Sequence, residues 1–308
     1  MNKFRFLLFL LLTCIIFPQQ NSPIYITGSL NDISMNPTFS PDGKKIAYTK
    51  SGYTGIWIYD LSTKSTKQIT DEQAAGFGYK WSSDSKSILS RVAKYENMNR
   101  LNAVKIFDVE TDQQLQLTEF RTRMPFMPEW SEQDTKVILP SKNGVEVYST
   151  GKLYKLNPSA PQIDAYIIGD KIGTRNASTN EEKIIEPLKD AQVINLISSP
   201  DKKKVAFEVM GGNMYSMNID GTNLIDLGKG HRPRWSSDSK KIIYMITEDN
   251  GDNYTASDIY TINVDGTQKK NLTNTNDRIE MNPCFSPDGK AIVFDVYNDG
   301  SIYLMNIE

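Results

Sequence analysis

Two stretches of the sequence decide the fold: MNPTFSPDGKKIAY at 35–48 and MNPCFSPDGKAIVF at 281–294. They are nearly the same fourteen residues, and they stand near opposite ends of a chain of 308 residues. Such self-similarity is typical of proteins in which one structural unit is repeated along the chain. The residues between the two stretches carry further copies of the same pattern.

The repeated unit begins with an aromatic residue, a serine and, shortly after, an aspartate. Six copies occur, and the copy at Ser198 has lost the aromatic residue; they begin at Phe39, Trp81, Trp130, Ser198, Trp235 and Phe285. A β-branched residue follows seven positions after each start: Ile46, Ile88, Val137, Val205, Ile242 and Ile292. Six matches in phase indicate a true repeat.

Each repeat has the composition of a short antiparallel sheet. Pro41, Asp42 and Gly43 form a turn signal, and β-rich runs such as KIAYTK (45–50) and IWIYDL (56–61) follow it. No segment keeps the apolar period of a helix. Four short strands in each unit of about 40–50 residues are typical of a β-propeller blade. The sequence therefore predicts an all-β, six-bladed β-propeller.

A seventh blade stays open because one interval is longer than the others. Trp130 and Ser198 lie 68 residues apart. We assign 153–163 to the end of the third blade, while 171–188 resembles a last hairpin that has no turn motif of its own.

The two chain ends indicate how the ring closes. The last repeat stops at SIYLMNIE (301–308) without a fourth strand, and PIYITGSL (23–30) is a strand that no blade precedes. We predict that this N-terminal strand completes the last blade, which would leave only short, protected edges.

The first twenty residues differ from the rest. Lys3 and Arg5 precede an apolar run from Phe6 to Phe17, followed by Pro18, which is the layout of a secretory signal peptide. We therefore expect a signal peptide at 1–20, a single propeller domain at 23–308, and a periplasmic or secreted protein. The formal charge of −2, with lysines and acids interspersed, does not favour nucleic-acid binding.

The aromatic-Ser-Pro-Asp-Gly repeat, followed by motifs such as DGTQKKNLT (265–273), resembles the TolB-type propeller repeat of bacterial envelope proteins. The resemblance covers about residues 23–308. It implies a partner that is an envelope lipoprotein or a peptide segment, held at the mouth of the propeller. TolB carries an α/β domain before its propeller, and this chain passes from the signal peptide directly to the closing strand, so the resemblance does not carry over a full role in the Tol–Pal system.

The sequence offers little for catalysis. His231 is the only histidine and Cys284 the only cysteine after the signal segment, and no Gly-x-Ser-x-Gly elbow occurs. The recurring Asp42, Asp201, Asp238 and Asp288 are expected to cap turns. We therefore predict a monomeric protein that is not an enzyme and needs no cofactor or metal.

Binding is expected on the face where the blades differ. There lie the variable segments 91–103, 141–151 and 247–257, which are interpreted as loops, together with the links between blades. The candidate ligand-binding residues on the links are Arg121, Arg123, Arg232, Arg234, Arg278 and Glu280. If they converge, they would suit a carboxylate-bearing peptide or an acidic glycan. The alternative is that these arginines pair with nearby acids and stack on aromatic rings.

Two other functions remain open at this point. Propellers also host polysaccharide lyases and glycoside hydrolases, and two carboxylates at glycosidase separation in the channel would favour that reading. The protein could also be a sensor or scaffold subunit for a separate enzyme.

Overall fold

The computed structural model describes residues 22–141, 144–152 and 162–307. Apart from a 3-10 turn at Ser51–Tyr53, these residues form strands and connecting segments, and the strands belong to seven separate sheets. The predicted all-β propeller is confirmed. The expected count of six blades is wrong, because the described strands form seven.

The first three blades follow the turn motifs in order. Blade 1 contains β2 (Ser34–Phe39), β3 (Lys45–Lys50), β4 (Thr54–Asp60) and β5 (Thr66–Thr70). Blade 2 contains β6 (Lys80–Trp81), β7 (Ser87–Glu96), β8 (Asn99–Asp108) and β9 (Gln114–Gln116). Blade 3 contains β10 (Glu129–Ser131), β11 (Lys136–Ser141) and β12 (Gly144–Ser149).

The other four blades complete the ring. Blade 4 contains β13 (Ile163–Ile168), β14 (Lys171–Asn176) and β15 (Glu182–Ile185). Blade 5 contains β16 (Val193–Ser198), β17 (Lys204–Val209), β18 (Met214–Asn218) and β19 (Ile225–Gly228). Blade 6 contains β20 (His231–Trp235), β21 (Lys241–Asp249), β22 (Tyr254–Asn263) and β23 (Lys270–Asn271). Blade 7 contains β24 (Glu280–Phe285), β25 (Ala291–Val296), β26 (Ser301–Asn306) and β1 (Ile24–Gly28).

The predicted closure of the ring is confirmed. The N-terminal strand β1 pairs antiparallel with β26, with Ile24 opposite Leu304 and Gly28 opposite Ser301. The first strand of the chain thus covers the outer edge of the last blade. This pairing satisfies backbone groups that would otherwise form an open sheet edge.

Blade 4 is the blade that the turn motif did not reveal. The amide of Ala177 donates to the carbonyl of Gln162, as the amide of Leu61 donates to that of Lys44 in blade 1. This correspondence puts β13, β14 and β15 in the second, third and fourth positions of a blade. Of the stretch 153–163, which we assigned to the end of blade 3, residues 153–161 lie outside the described ones, and Ile163 belongs to blade 4, where it begins β13.

Layers of apolar side chains between neighbouring blades hold the ring together. The β-branched residues that follow each motif are fully buried: Ile46, Ile88, Val137, Val205, Ile242 and Ile292. Six clusters of buried side chains each join two neighbouring blades, and one of them joins blade 7 to blade 1. Burial of these surfaces is the main force that stabilises the ring.

The motif tryptophans also link neighbouring blades by hydrogen bonds. The indole nitrogen of each donates to the preceding blade at the residue just before that blade's own motif. Trp81 donates to Thr38 Oγ1 (3.1 Å), Trp130 to the Lys80 carbonyl (3.2 Å) and Trp235 to the Ile197 carbonyl (3.3 Å). This shared role explains why three of the four tryptophans occupy one repeat position.

The recurring aspartates cap turns, as predicted. In five blades a motif serine donates its hydroxyl to the aspartate two residues later, and that aspartate accepts an amide two residues further on. The hydrogen bond from the Ser236 hydroxyl, for example, holds the pKa of Asp238 below its usual value. We call the face of the ring that carries these turns the turn face.

Candidate functional site at the channel mouth

The opposite face, which we call the mouth face, carries the links between blades and the connections between second and third strands. The prediction of loops at 91–103, 141–151 and 247–257 is wrong, because the described residues of these segments are largely strand. Blade 2 extends β7 and β8 to ten residues each, and blade 6 extends β21 and β22 to nine and ten. Two long hairpins therefore rise from the mouth face.

A repeated bulge shapes the innermost strands at this face. Three residues before the motif, five blades have a left-handed backbone: Asn36, Gly78, Asn195, Arg232 and Asn282, with φ between 50° and 68°. Asparagine and glycine tolerate this conformation best, so Arg232 is the exception. In blades 1, 5, 6 and 7 the pairing register with the second strand shifts at this residue.

Arg234 joins two blades that are not neighbours in the ring. It lies on β20 of blade 6, and its Nη2 donates to Asn36 Oδ1 (2.8 Å) while its Nη1 donates to the Pro37 carbonyl (3.3 Å). Both partners are on β2 of blade 1. The guanidinium therefore reaches across the inner edge of blade 7 and is held by neutral oxygens.

Arg232 has a looser side chain. Its backbone amide donates to Glu208 Oε1 (2.5 Å), whereas its guanidinium has a single long contact, from Nη2 to the Tyr53 hydroxyl (3.4 Å). Among the described residues no carboxylate forms an ion pair with this guanidinium. Arg232 therefore presents a cation at the mouth of the channel.

Three of the other predicted residues, Arg121, Arg123 and Arg278, lie on links between blades, away from this pair. Arg121 donates from Nη2 to Glu146 Oε2 (3.0 Å), and Arg278 stacks on the Tyr303 ring at 4.9 Å; both partners belong to third strands, far from the axis. Arg123 is exposed. Thus Arg232 and Arg234 come together, and Arg121, Arg123 and Arg278 do not join them.

Glu280 is not on a link but is buried at the start of β24, the innermost strand of blade 7. Its side chain accepts a hydrogen bond from the Thr275 hydroxyl (2.7 Å), and its backbone carbonyl accepts one from Ser257. Burial raises the pKa of this carboxyl group. Glu280 and Arg278 line a shallow hollow of about 230 Å³ at the outer part of the ring.

Residues of the second strands at the mouth face contribute charges that were not among the predicted site residues. Ten residues after five of the six motif starts stand Thr49, Arg91, Glu208, Met245 and Asp295, and blade 3 has Pro140 at this position. Asp295 Oδ1 accepts the Asn36 amide (2.9 Å) and Asn282 Nδ2 (2.9 Å). Glu208 Oε1 accepts Asn195 Nδ2 (2.8 Å), and its Oε2 lies 3.2 Å from Nδ1 of His231. The left-handed bulges of blades 1 and 6 are thus capped by carboxylates of the preceding blade.

Asp295 is the most perturbed acid of the site. Burial raises its pKa from 3.8 to about 6, against the opposing effects of its hydrogen bonds to Asn282 and Asn36 and of the nearby Arg232 and Arg234. A signal for these residues was present in the sequence. Arg91, Glu208 and Asp295 are charged residues in largely apolar second strands, and all three stand ten residues after the motif start.

Aromatic rings complete the mouth on the side of blades 1 and 2. The Tyr53 and Phe77 rings meet edge to face, with centroids 5.1 Å apart, and Phe77 is 40% exposed. The Arg91 guanidinium lies 6.0 Å from the Phe77 centroid. We call Arg91, Phe77, Tyr53 and Arg232 the mouth row, because each contacts the next.

Neither a metal site nor a membrane-spanning helix is found among the described residues. Between residues 22 and 307, leaving out 142–143 and 153–161, no three His, Cys, Asp or Glu side chains are grouped so that they could hold a metal ion. The same part of the chain has no helix long and apolar enough to cross a membrane.

Solved structures of low sequence identity share this fold. TolB from Acinetobacter baumannii is 20% identical with a TM-score of 0.52 over 78% of this chain, which spans 54% of that protein. A protein from Agrobacterium tumefaciens assigned as TolB is 14% identical with a TM-score of 0.55, covering 90% of this chain and 91% of its own. Oligogalacturonate lyase from Vibrio parahaemolyticus is 14% identical with a TM-score of 0.50, covering 90% of this chain and 78% of its own.

At these identities the likeness establishes the β-propeller fold and leaves the activity open. No protein-family model matches the chain, and no curated protein sequence does.

Proposed function

We propose that the protein is an exported, non-catalytic binding module that holds a peptide segment of a cell-envelope partner at the mouth of its propeller. The observation that carries the proposal is the Arg232 guanidinium, a cation at the mouth that has one long contact and no ion pair with a carboxylate of the described residues. A ligand carboxylate would give it a charge-assisted hydrogen bond. The likeness of the fold to TolB proteins supports a partner in the envelope.

The test is capture of a partner by matched variants. The mature chain, beginning at residue 21, serves as bait in a detergent-solubilised envelope extract, beside Arg232→Asn and Arg121→Met. Asparagine suits position 232 because Asn36, Asn195 and Asn282 hold the same left-handed backbone. Arg121→Met is the control, since that arginine already pairs with Glu146.

The expected result is one protein captured by the parent and by Arg121→Met, with capture by Arg232→Asn reduced by about tenfold or more. Equal capture by all three proteins, or capture of none by the parent, would contradict the proposal.

Export is the second part of this proposal. The basic start, the apolar run Phe6–Phe17 and Pro18 support a signal peptide that is cleaved near Gln20. These residues lie outside the described ones. N-terminal sequencing of the protein recovered from the periplasmic fraction and from the medium tests it. A start near residue 21 is expected, and a full-length chain retained in the cytoplasm would contradict export.

An acidic glycan is the second candidate ligand. Arg232 and Arg234 at one channel mouth would also suit uronate carboxylates, and the Vibrio lyase of similar fold is named for oligogalacturonate. Incubation with oligogalacturonate, followed by ultraviolet absorbance of unsaturated uronate, separates this candidate from the first. Product formed by the parent and lost in Arg232→Asn would favour the glycan and an enzymatic role.

A further inference from the structure

Arg91 is a further cation at the mouth and was not among the predicted arginines of the links. It lies on β7 of blade 2, at the repeat position that Asp295 holds in blade 7. Its Nη1 donates to the Met124 carbonyl (2.8 Å), its Nε is buried without a partner, and no described residue bonds its Nη2. The guanidinium is therefore only partly satisfied.

The charges around Arg91 do not compensate it. Burial lowers the pKa of this guanidinium, and the nearby Arg100 lowers it further. No described carboxylate forms an ion pair with it. A cation removed from water without a counter-charge is costly, and an anion that binds beside it recovers part of that cost.

Three other basic residues near this part of the ring are neutralised, whereas Arg100 bonds to Asn102 and has no ion pair among the described residues. Lys80 pairs with Glu129 on the next blade. Lys105 Nζ pairs with Glu72 at 2.8 Å, and Arg121 with Glu146 at 3.0 Å. The chain thus supplies acids for these cations and leaves Arg91 without one.

The Phe77 ring, which is 40% exposed, provides an apolar surface beside Arg91. Phe77 packs against the guanidinium and against the Tyr53 ring, and the Tyr53 hydroxyl contacts Arg232. A cation beside an exposed aromatic ring is complementary to a carboxylate carried next to an apolar group.

We propose that Arg91 binds a ligand carboxylate, and that the ligand is an acidic peptide segment whose apolar side chain packs on Phe77 and whose chain follows the mouth row towards Arg232. This inference rests on the proposed function, for which it names the ligand chemistry and a second anchoring residue. A peptide fits better than a glycan because the exposed ring beside the cation is Phe77, which suits an apolar side chain.

The probe is N-acetyl-phenylalanine, which carries one carboxylate beside one aromatic ring, and its methyl ester is the uncharged control. The Nε–H resonance of Arg91 in the ¹⁵N-labelled mature protein is followed during titration, and it is assigned by its loss in Arg91→Met. The carboxylate is expected to shift this resonance, and the ester is not. Binding, measured by calorimetry, should be weaker by roughly tenfold in Arg91→Met and unchanged in Arg121→Met.

A stability measurement separates binding from folding. Because Arg91 is an unpaired cation, Arg91→Met is expected to melt at or above the temperature of the parent. Arg91→Gln, which keeps a donor for the Met124 carbonyl, replaces it if the methionine variant does not fold.

Three results would overturn the inference. One is equal binding of N-acetyl-phenylalanine by the parent and Arg91→Met, and another is no response to this probe at all. The third is a response to digalacturonate alone, which would assign the site to a glycan. Failure of this inference leaves the proposed function standing if Arg232→Asn still loses the envelope partner while Arg91→Met retains it.

Discussion

The turn face and the mouth face of the propeller are built from the same repeats, yet they differ in how uniform they are. On the turn face, the same serine-to-aspartate hydrogen bond recurs in five blades at 2.5–2.6 Å. On the mouth face, the residue ten positions after the motif start varies, and in five blades it is Thr49, Arg91, Glu208, Met245 and Asp295. Repetition therefore marks the residues that hold the fold, and variation at a fixed position marks the residues available for binding.

The largest expected effect concerns a tryptophan that links two blades. Trp81→Ala removes the hydrogen bond to Thr38 and part of the apolar cluster between blades 1 and 2. We expect it to lower the free energy of unfolding by about 4 kcal/mol. Urea unfolding followed by tryptophan fluorescence measures this. If Trp81→Ala lowers the free energy of unfolding no more than Arg232→Asn does, the contrast between residues that hold the fold and residues of the mouth face is contradicted.

The second prediction uses the buried acid of the mouth. Because the raised pKa of Asp295 makes the folded state bind a proton more readily than the unfolded chain, its protonation favours folding. Its contribution to stability therefore rises as pH falls from about 7 to about 4, by at most about 3 kcal/mol.

Asp295→Asn should remove this contribution. Free energies of unfolding of parent and variant, measured in urea across that pH range, are expected to converge or cross as pH rises. The turn-face aspartates have lowered pKa values and act in the opposite direction, losing stability at lower pH. A constant difference between parent and variant across the range would contradict the assignment to Asp295.

A smaller effect is expected for a single turn aspartate. Asp238→Ala removes the acceptor of the Ser236 hydroxyl and of the Lys240 amide, so we expect a loss of about 1 kcal/mol. Asp252→Ala, in the hairpin connection of blade 6 on the mouth face, is the matched control and should change stability by less than about 0.5 kcal/mol. Equal losses in thermal unfolding would remove the distinction between the two faces.

The smallest effect is expected for Arg121, whose ion pair with Glu146 is about one-third exposed. Arg121→Met should cost no more than about 0.5 kcal/mol, because exposed ion pairs contribute little. A loss of several times this size in chemical unfolding would show that the control residue is structural, and Arg278→Met would then replace it.

The fold was largely predictable from sequence because packing and turn chemistry recur in every blade. Blade 4 was not counted among the predicted blades because the repeat was recognised by its Ser-x-Asp turn motif. The described part of blade 4 does not show this motif. A search for its buried Ala165 and Tyr166, which match Ala47 and Tyr48, could have found it. The core of a blade is thus a more constant signal than its turn.

The site was less predictable because its geometry depends on the ring. Arg234 and Asn36 are 198 residues apart in the chain and meet only because blade 7 brings blade 6 close to blade 1. Arg121 and Arg278 have the same residue type, yet their side chains lie against third strands. Residue type and link position alone could not separate these two groups.

Hydrogen exchange of the mature protein, with and without the partner captured from the envelope extract, locates the surface that binds. Protection on binding is expected only on the mouth face, in peptides covering Tyr53, Phe77 and the β7–β8 hairpin. Exchange at the turns that begin at Ser40, Ser199 and Ser236 should not change. Protection of those turns, with an unchanged mouth face, would contradict binding at the mouth face.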